Sequence, residues 1–227
     1  MARHLPLVAF LLISSCLLKA QVCFYVADET DVLYSYDIEK EQNELICELP
    51  EAIHSVECLA YDPVHAVLYS VFEGRVLQIN PRNCKIEERF QVPHLDVDAV
   101  EYYNDTLVLA TRALDAPDSI VSYRLSTGNI LSGPFAIEGP GVPLNIDGLT
   151  YNPCHLSGER LLYAPLNNEG NGASLFTINP VTGSHNLICP MSTSDIESLS
   201  FTGLCELLAV KAKSQVQFGR SIHRRPN

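Results

Sequence analysis

One eight-residue pattern recurs four times along the chain and leaves few folds open to it. The copies are Val56-Glu57-Cys58-Leu59-Ala60-Tyr61-Asp62-Pro63, Val97-Asp98-Ala99-Val100-Glu101-Tyr102-Tyr103-Asn104, Ile146-Asp147-Gly148-Leu149-Thr150-Tyr151-Asn152-Pro153 and Ile196-Glu197-Ser198-Leu199-Ser200-Phe201-Thr202-Gly203. Their first residues lie 41, 49 and 50 positions apart. Each copy runs β-branched, acidic, small, apolar, then on to an aromatic and a turn. A period of this length marks a repeat architecture, in which no single unit buries its own faces.

Each unit continues in the same way. A second apolar segment follows a short turn: Val67–Val71, Leu107–Thr111, Leu161–Ala164 and Leu207–Val210. A third comes next at Val76–Pro81, Ile120–Leu125 and Leu175–Pro180, with the turns Ser126-Thr127-Gly128 and Val181-Thr182-Gly183 behind two of them. A weaker fourth closes the unit at Ile86–Val92, Ile130–Ile137 and Asn186–Cys189. Short runs rich in Val, Ile, Leu and Tyr between Asn-Pro, Asp-Pro and Thr-Gly turns read as strands. No sustained 3.6-residue period competes with them. Four strands per unit of about 40–50 residues is the pattern of a propeller blade. Residues 23–49 fit as a unit that lacks its first strand, and the last unit degenerates after Lys211. Sharing of one closing blade between the two ends is therefore expected. The reading is an all-β propeller of four-stranded antiparallel blades, about four to five in number by length, incomplete or open in one alternative.

These units resemble the secreted and periplasmic propellers of the NHL, YWTD and phytase-like or gluconolactonase-like groups. Ile146–Pro153 and Leu175–Gly183 carry the likeness best, and it extends over about 23–210. Those rings are longer than this chain.

Charge divides the chain into three. All 27 acidic residues lie in 21–210 against eight basic ones, so the body carries −19, although the whole chain of 227 residues sums to −12. Nucleic acid and phospholipid surfaces repel such a body. Its partner is expected to be a protein or small-molecule ligand of cationic character. Residues 211–227 hold five basic residues and no acid, and form an expected disordered tail.

Residues 1–20 read as a signal peptide. A basic start leads into the apolar run Leu5–Ile13, too short to span a bilayer of about 30 Å, with cleavage expected at Ala20. The alternative is a lipoprotein box at Ile13-Ser14-Ser15-Cys16, with Cys16 lipidated. No later segment is apolar enough to cross a membrane, so the protein is expected to be secreted. Seven cysteines then remain: Cys23, Cys47, Cys58, Cys84, Cys154, Cys189 and Cys205. Disulfides are available to a secreted chain, the odd number leaves at least one thiol over, and no C-x-x-C spacing suggests zinc. Asn104-Asp105-Thr106 is a glycosylation sequon in an expected hairpin turn.

The acid of the repeat is the candidate site. Glu57, Asp98, Asp147 and Glu197 occupy one position of each first strand, and would meet at one end of the channel if those strands are innermost. Converging carboxylates raise one another's pKa or recruit a hard cation, and Ca²⁺ is the expected ion. The resemblance implies a metal at the same place. The opposing reading makes each acid a lock that accepts backbone N–H bonds from a neighbouring loop. His54, His65, His94, His155 and His185 fall at loops or segment ends and are expected to be solvated.

No G-x-S-x-G, H-E-x-x-H or phosphate-binding loop is present, so no catalytic activity is assigned. Three functions stay open. The preferred one is a secreted propeller binding module with an acidic surface. The second is a Ca²⁺-dependent hydrolase of the lactonase or phytase type. The third, suggested by the change of composition at Lys211, is a truncated product of a longer propeller.

Overall fold

The computed structural model describes residues 22–27, 32–37, 40–50, 53, 56, 58–94, 96–113, 116–137, 145–152, 161–168, 172–191, 196–201, 207–211 and 219–220. For 22–27, 113, 116, 167, 168, 172, 197, 210, 211, 219 and 220 it describes the backbone alone. Every regular element among these residues is a strand.

The strands form five consecutive antiparallel sheets. The first has three strands, β1 (Val22–Ala27), β2 (Val32–Asp37) and β3 (Gln42–Glu48). The second contains β4 (Ala60–Asp62), β5 (Val67–Phe72), β6 (Arg75–Asn80) and β7 (Lys85–Gln91). The third contains β8 (Val97–Tyr103), β9 (Thr106–Ala113), β10 (Ala116–Arg124) and β11 (Ile130–Ala136). In the fourth, β12 (Asn145–Ile146) and β13 (Thr150–Tyr151) both pair with β14 (Leu162–Asn168), followed by β15 (Gly172–Ile178) and β16 (His185–Pro190). The fifth contains β17 (Ile196–Phe201), β18 (Leu207–Lys211) and β19 (Gly219–Arg220). Strands follow one another in chain order within each sheet, as blade meanders do.

The recurring eight-residue segment is the inner strand. β4 packs against β8, β8 against β13, and β13 against β17, so the inner strands of successive blades are neighbours. The first sheet has no such strand among the described residues.

Both faces of each central blade are buried, and alternation shows this directly. Along β5, Val67, Tyr69 and Val71 face the third sheet, while Leu68 and Phe72 face the first. Along β9, Leu107 and Leu109 face the second sheet, while Val108 and Ala110 face the fourth. Successive side chains of a strand point to opposite faces, so a strand with two dry faces is apolar throughout. Four core clusters result, one between each pair of consecutive sheets; the last joins Ala173 and Leu175 to Ile196 and Leu199. Full burial of one such Leu or Ile is worth roughly 1.5–3 kcal/mol. Blade stacking therefore outweighs any single turn contact.

Two expectations change. Among the described residues the ends share no blade: β1–β3 and β17–β19 are separate sheets, and no core cluster joins them. The physical reason is β19, since the chain beyond Lys211 supplies a third strand to its own blade, pairing Leu208 with Arg220. That strand lies in the segment expected to be a disordered tail. The inner strand of the fourth blade is also split around Asp147-Gly148-Leu149. A Cβ on Gly148 would come within 3.0 Å of the Ser198 Cα and the Leu199 backbone nitrogen, so glycine permits the fourth and fifth blades to touch backbone to backbone.

Candidate functional site

The described acids of the repeat gather at the seam between the third and fourth blades. Asp98 sits near the start of β8, and Asp147 in the break between β12 and β13. Both meet Arg112, which β9 projects from its far end. Arg112 Nε lies 3.1 Å from Asp98 Oδ2, and a terminal guanidinium nitrogen lies 3.8 Å from Asp147 Oδ1. Backbone pairing sets this arrangement, since Arg112 N–H donates to the Asp96 carbonyl at 3.2 Å.

Two further carboxylates complete the group. Asp118 on β10 is 2% exposed, and its Oδ2 accepts the backbone N–H of Ile146 at 2.7 Å. Its own carbonyl accepts from Ile137 N–H at 2.9 Å. Asp118 thus ties the third blade to the inner strand of the fourth. Asp96 lies exposed beside them and acts on the same guanidinium. The site is four aspartates about one cation.

Burial and mutual repulsion shape its protonation. Asp98 is 8% exposed; desolvation pushes its pKa up to about 7, against the pull of Arg112 and with the push of Asp118, Asp96 and Asp147. The Arg112 contact is off the N–H axis, so Asp98 Oδ2 has an ion-pair partner but no aligned hydrogen bond. Burial likewise raises Asp118, opposed by the Ile146 N–H and by Arg112. For Arg112, burial favours the neutral form, but the four carboxylates outweigh it and hold the proton more tightly.

Glu101 lies further along β8. Although the residue keeps some exposed surface, its carboxylate is enclosed between blades and accepts from the N–H of Tyr102 at 3.1 Å and from the Tyr151 backbone. Desolvation pushes it up to about 8 despite those bonds.

Asp98 and Asp147 are thus brought together by a guanidinium. Glu57 lies outside the described residues, and Glu197 is on β17 with its side chain outside them. Among the described residues, no three Asp, Glu, His or Cys side chains are grouped to hold a metal ion. Arg112, Asp118 and Asp96 fall outside the repeated position, so no period points to them. A charged residue closing an otherwise apolar strand, as Arg112 follows Leu107–Thr111, is the one signal that marks them.

Among the described residues, the others singled out by the sequence lie away from this group. Asn104 is exposed, with Asp105, in the two-residue turn between β8 and β9. Both have positive φ, 49° and 64°, which that hairpin turn requires. His65 is exposed but not simply solvated: its Nδ1 lies 2.6 Å from Oδ2 of the fully buried Asp62. His94 is half-buried edge-on to Tyr123, and burial lowers its pKa. His54, His155, Cys16, Cys154 and Cys205 lie outside the described residues. No helix among the described residues is long and apolar enough to cross a membrane.

No protein-family model and no curated protein sequence matches the chain. Solved structures do. A chain in the crystal structure of a nidogen/laminin complex superimposes with a TM-score of 0.61 at 14% identity, over 86% of this chain and 71% of that one. TolB from Acinetobacter baumannii gives 0.53 at 14% identity, over 84% of this chain and 46% of its own. Both are propellers, and at such identity they speak to architecture alone. Five stacked antiparallel sheets and these two likenesses give the same conclusion: the chain has the β-propeller fold.

Proposed function

We propose that the protein is a secreted binding module that takes a cationic protein segment at the aspartate group between its third and fourth blades. The observation that carries this reading is that Asp98 and Asp147, from two blades, both pair with the single guanidinium of Arg112, at 3.1 and 3.8 Å. These carboxylates already hold the chemical group that a ligand arginine or lysine would offer. Arginine binds carboxylates through paired, charge-assisted hydrogen bonds, which suits a site with several acceptors. The propeller in the nidogen/laminin structure is found in a protein complex, and by analogy a protein partner is the class favoured here. Secretion is supported by the basic start and apolar run of residues 1–20.

Calorimetric titration of the purified protein with an arginine-rich peptide tests this. Saturable binding that weakens as salt is raised, and weakens again in Asp98→Asn with Asp147→Asn, is the expected result. Absence of heat and of any melting shift at millimolar peptide overturns it.

A Ca²⁺-dependent hydrolase is the second reading, and one observation favours it. Asp98 has a buried oxygen without an aligned hydrogen bond and a pKa of about 7, as a general acid or base near neutrality requires. Glu57 and Glu197 would have to complete the ion's ligand set with Asp98 and Asp147. A calcium-dependent rise in melting temperature, with calcium-dependent lactone or phosphate-ester cleavage, would establish it in place of the first.

A further inference from the structure

The outer contact between blades follows one rule, and the first contact departs from it. In the turn between third and fourth strands, the N–H of Cys84, Gly128 and Gly183 donates to the carbonyl four residues back, at 2.8, 2.7 and 2.8 Å. All three have positive φ, 59°, 72° and 73°. Two are glycine, the residue that this backbone conformation favours. The first of the three is a cysteine.

The partner position changes with it. In the outer strands β3, β7 and β11, Cys47, Phe90 and Phe135 sit just past a bulge, opposite Leu33, Val76 and Ile120. A Cβ on Gly128 would come within 3.2 Å of the Phe90 Cβ, and one on Gly183 within 2.5 Å of the Phe135 Cβ. At two seams, then, an aromatic side chain covers a glycine on the next blade. At the seam between the first and second blades, the same two positions hold Cys47 and Cys84. Their side chains are in mutual hydrogen-bond contact, and the Cys84 thiol also donates to the Ile46 carbonyl at 3.6 Å. A disulfide needs Cβ atoms about 3.5–4.5 Å apart, and side chains in mutual contact bring the two sulfurs within reach of one another. Both residues are thiols in this structure.

We propose that Cys47 and Cys84 form a disulfide between blades, made by exchange with a low-molecular-weight disulfide of the glutathione type, and that it fastens the three-stranded first sheet to the second. The exchange balances without another reactant. The half-buried Cys84, as thiolate, attacks one sulfur of the small disulfide and expels one thiolate, which takes up the Cys84 proton. Cys47, as thiolate, then attacks the Cys84 sulfur and expels the second thiol with its proton. One S–S bond breaks and one forms; the protein loses two electrons, and the small disulfide gains them. Burial, the largest cause, pushes the Cys47 thiol up and still acts once Cys84 is in the mixed disulfide, so the second step is the slow one and quickens with pH.

The bond accounts for a pair of positions that holds two small sulfur side chains where the next two seams set a phenyl ring against a glycine. The bond also supports the one sheet that has no inner strand among the described residues. The assignment is independent of the cationic-ligand reading. It rests on the proposed secretion only for the compartment in which the bond forms.

Mapping the purified protein after refolding in glutathione redox buffer tests it. Cleavage after glutamate releases Leu45–Glu48, holding Cys47, and Gly74–Glu87, holding Cys84, and separates both from Cys58. The expected result is these two peptides joined, and separated by reduction. The oxidised protein should also unfold with an equilibrium constant roughly tenfold or more below that of its reduced form. Cys84→Gly, which restores the residue of the other turns, should fold and be insensitive to reductant. Recovery of both cysteines as free thiols after refolding, or of Cys84 joined to another cysteine, overturns the pair whether or not the variant folds. A bond formed in buffer but absent from protein made in cells supports the pair and contradicts secretion.

Discussion

The side chain of Phe135 on the third blade occupies the space that a Cβ on Gly183 of the fourth would need, 2.5 Å from the Phe135 Cβ itself. The two residues belong to different blades, so the contact sets how closely the outer strands approach. Gly183→Ala forces Phe135 to move and adds strain at a φ of 73°, at an expected cost of about 1–3 kcal/mol. Adding Phe135→Gly, which removes the Cβ as well as the ring, should recover part of that loss. A double-mutant cycle in urea checks it, and purely additive losses would show that the two residues do not share the seam.

The raised carboxylates give the protein an unusual dependence on pH. Asp98 and Glu101 titrate near 7 and 8 in the fold but near 4 when unfolded. The folded state therefore holds protons that the unfolded state has released, and stability falls as pH rises from about 4 towards 8. Asp118 pushes in the same direction. Asp62 opposes it. Burial alone would raise its pKa, but the His65 ring and the N–H groups of Val64 and His65 hold it below the usual range, so its contribution is lost on acidification. Urea midpoints at pH 5.5 and pH 8 should differ, the latter being lower, and Asp98→Asn should shrink the difference. Equal midpoints in wild type and variant would contradict the burial of Asp98.

The hairpin turn at Asn104 makes two separable predictions. Asp105 Oδ1 accepts from Ser126 N–H at 2.8 Å and Oδ2 from the Ser126 hydroxyl at 2.7 Å. Asp105→Ala should cost about 1 kcal/mol, since two exposed bonds are lost. Asn104 is exposed beside it, and expression through a eukaryotic secretory route should attach a glycan there. An amidase-sensitive gel shift that disappears in Asn104→Gln is the expected outcome; no shift in wild type would show the sequon to be unused.

The repeat made the architecture legible because each blade repeats one burial problem. The inner-strand position of Asp98 and the apolar run Val67–Val71 both follow from a period and a pattern. What lay outside the period stayed hidden. Arg112 and Asp118 each occur once, on second and third strands, and their meeting depends on how two blades stack. The break at Gly148 was equally hidden, because the residue it must avoid, Ser198, lies in another blade. β19 lay in a segment whose basic composition suggested no strand. Composition reports the charge of Arg220 and not the unpaired edge of β18 that its backbone meets.

The Arg112→Ala variant tests the central claim most directly. Arg112 occupies the acceptors that a cationic ligand is proposed to use, so removing it leaves Asp98 and Asp147 facing a vacant position. Loss of Arg112 raises Asp98 further, so the titration is made at about pH 9, where its carboxylate is ionised; with the same arginine-rich peptide the variant should bind roughly tenfold more tightly than wild type, in keeping with one freed charge-assisted contact. The gain should vanish when Asp98→Asn and Asp147→Asn are added. Equal or weaker binding by a folded Arg112→Ala protein would contradict a cation site at this seam.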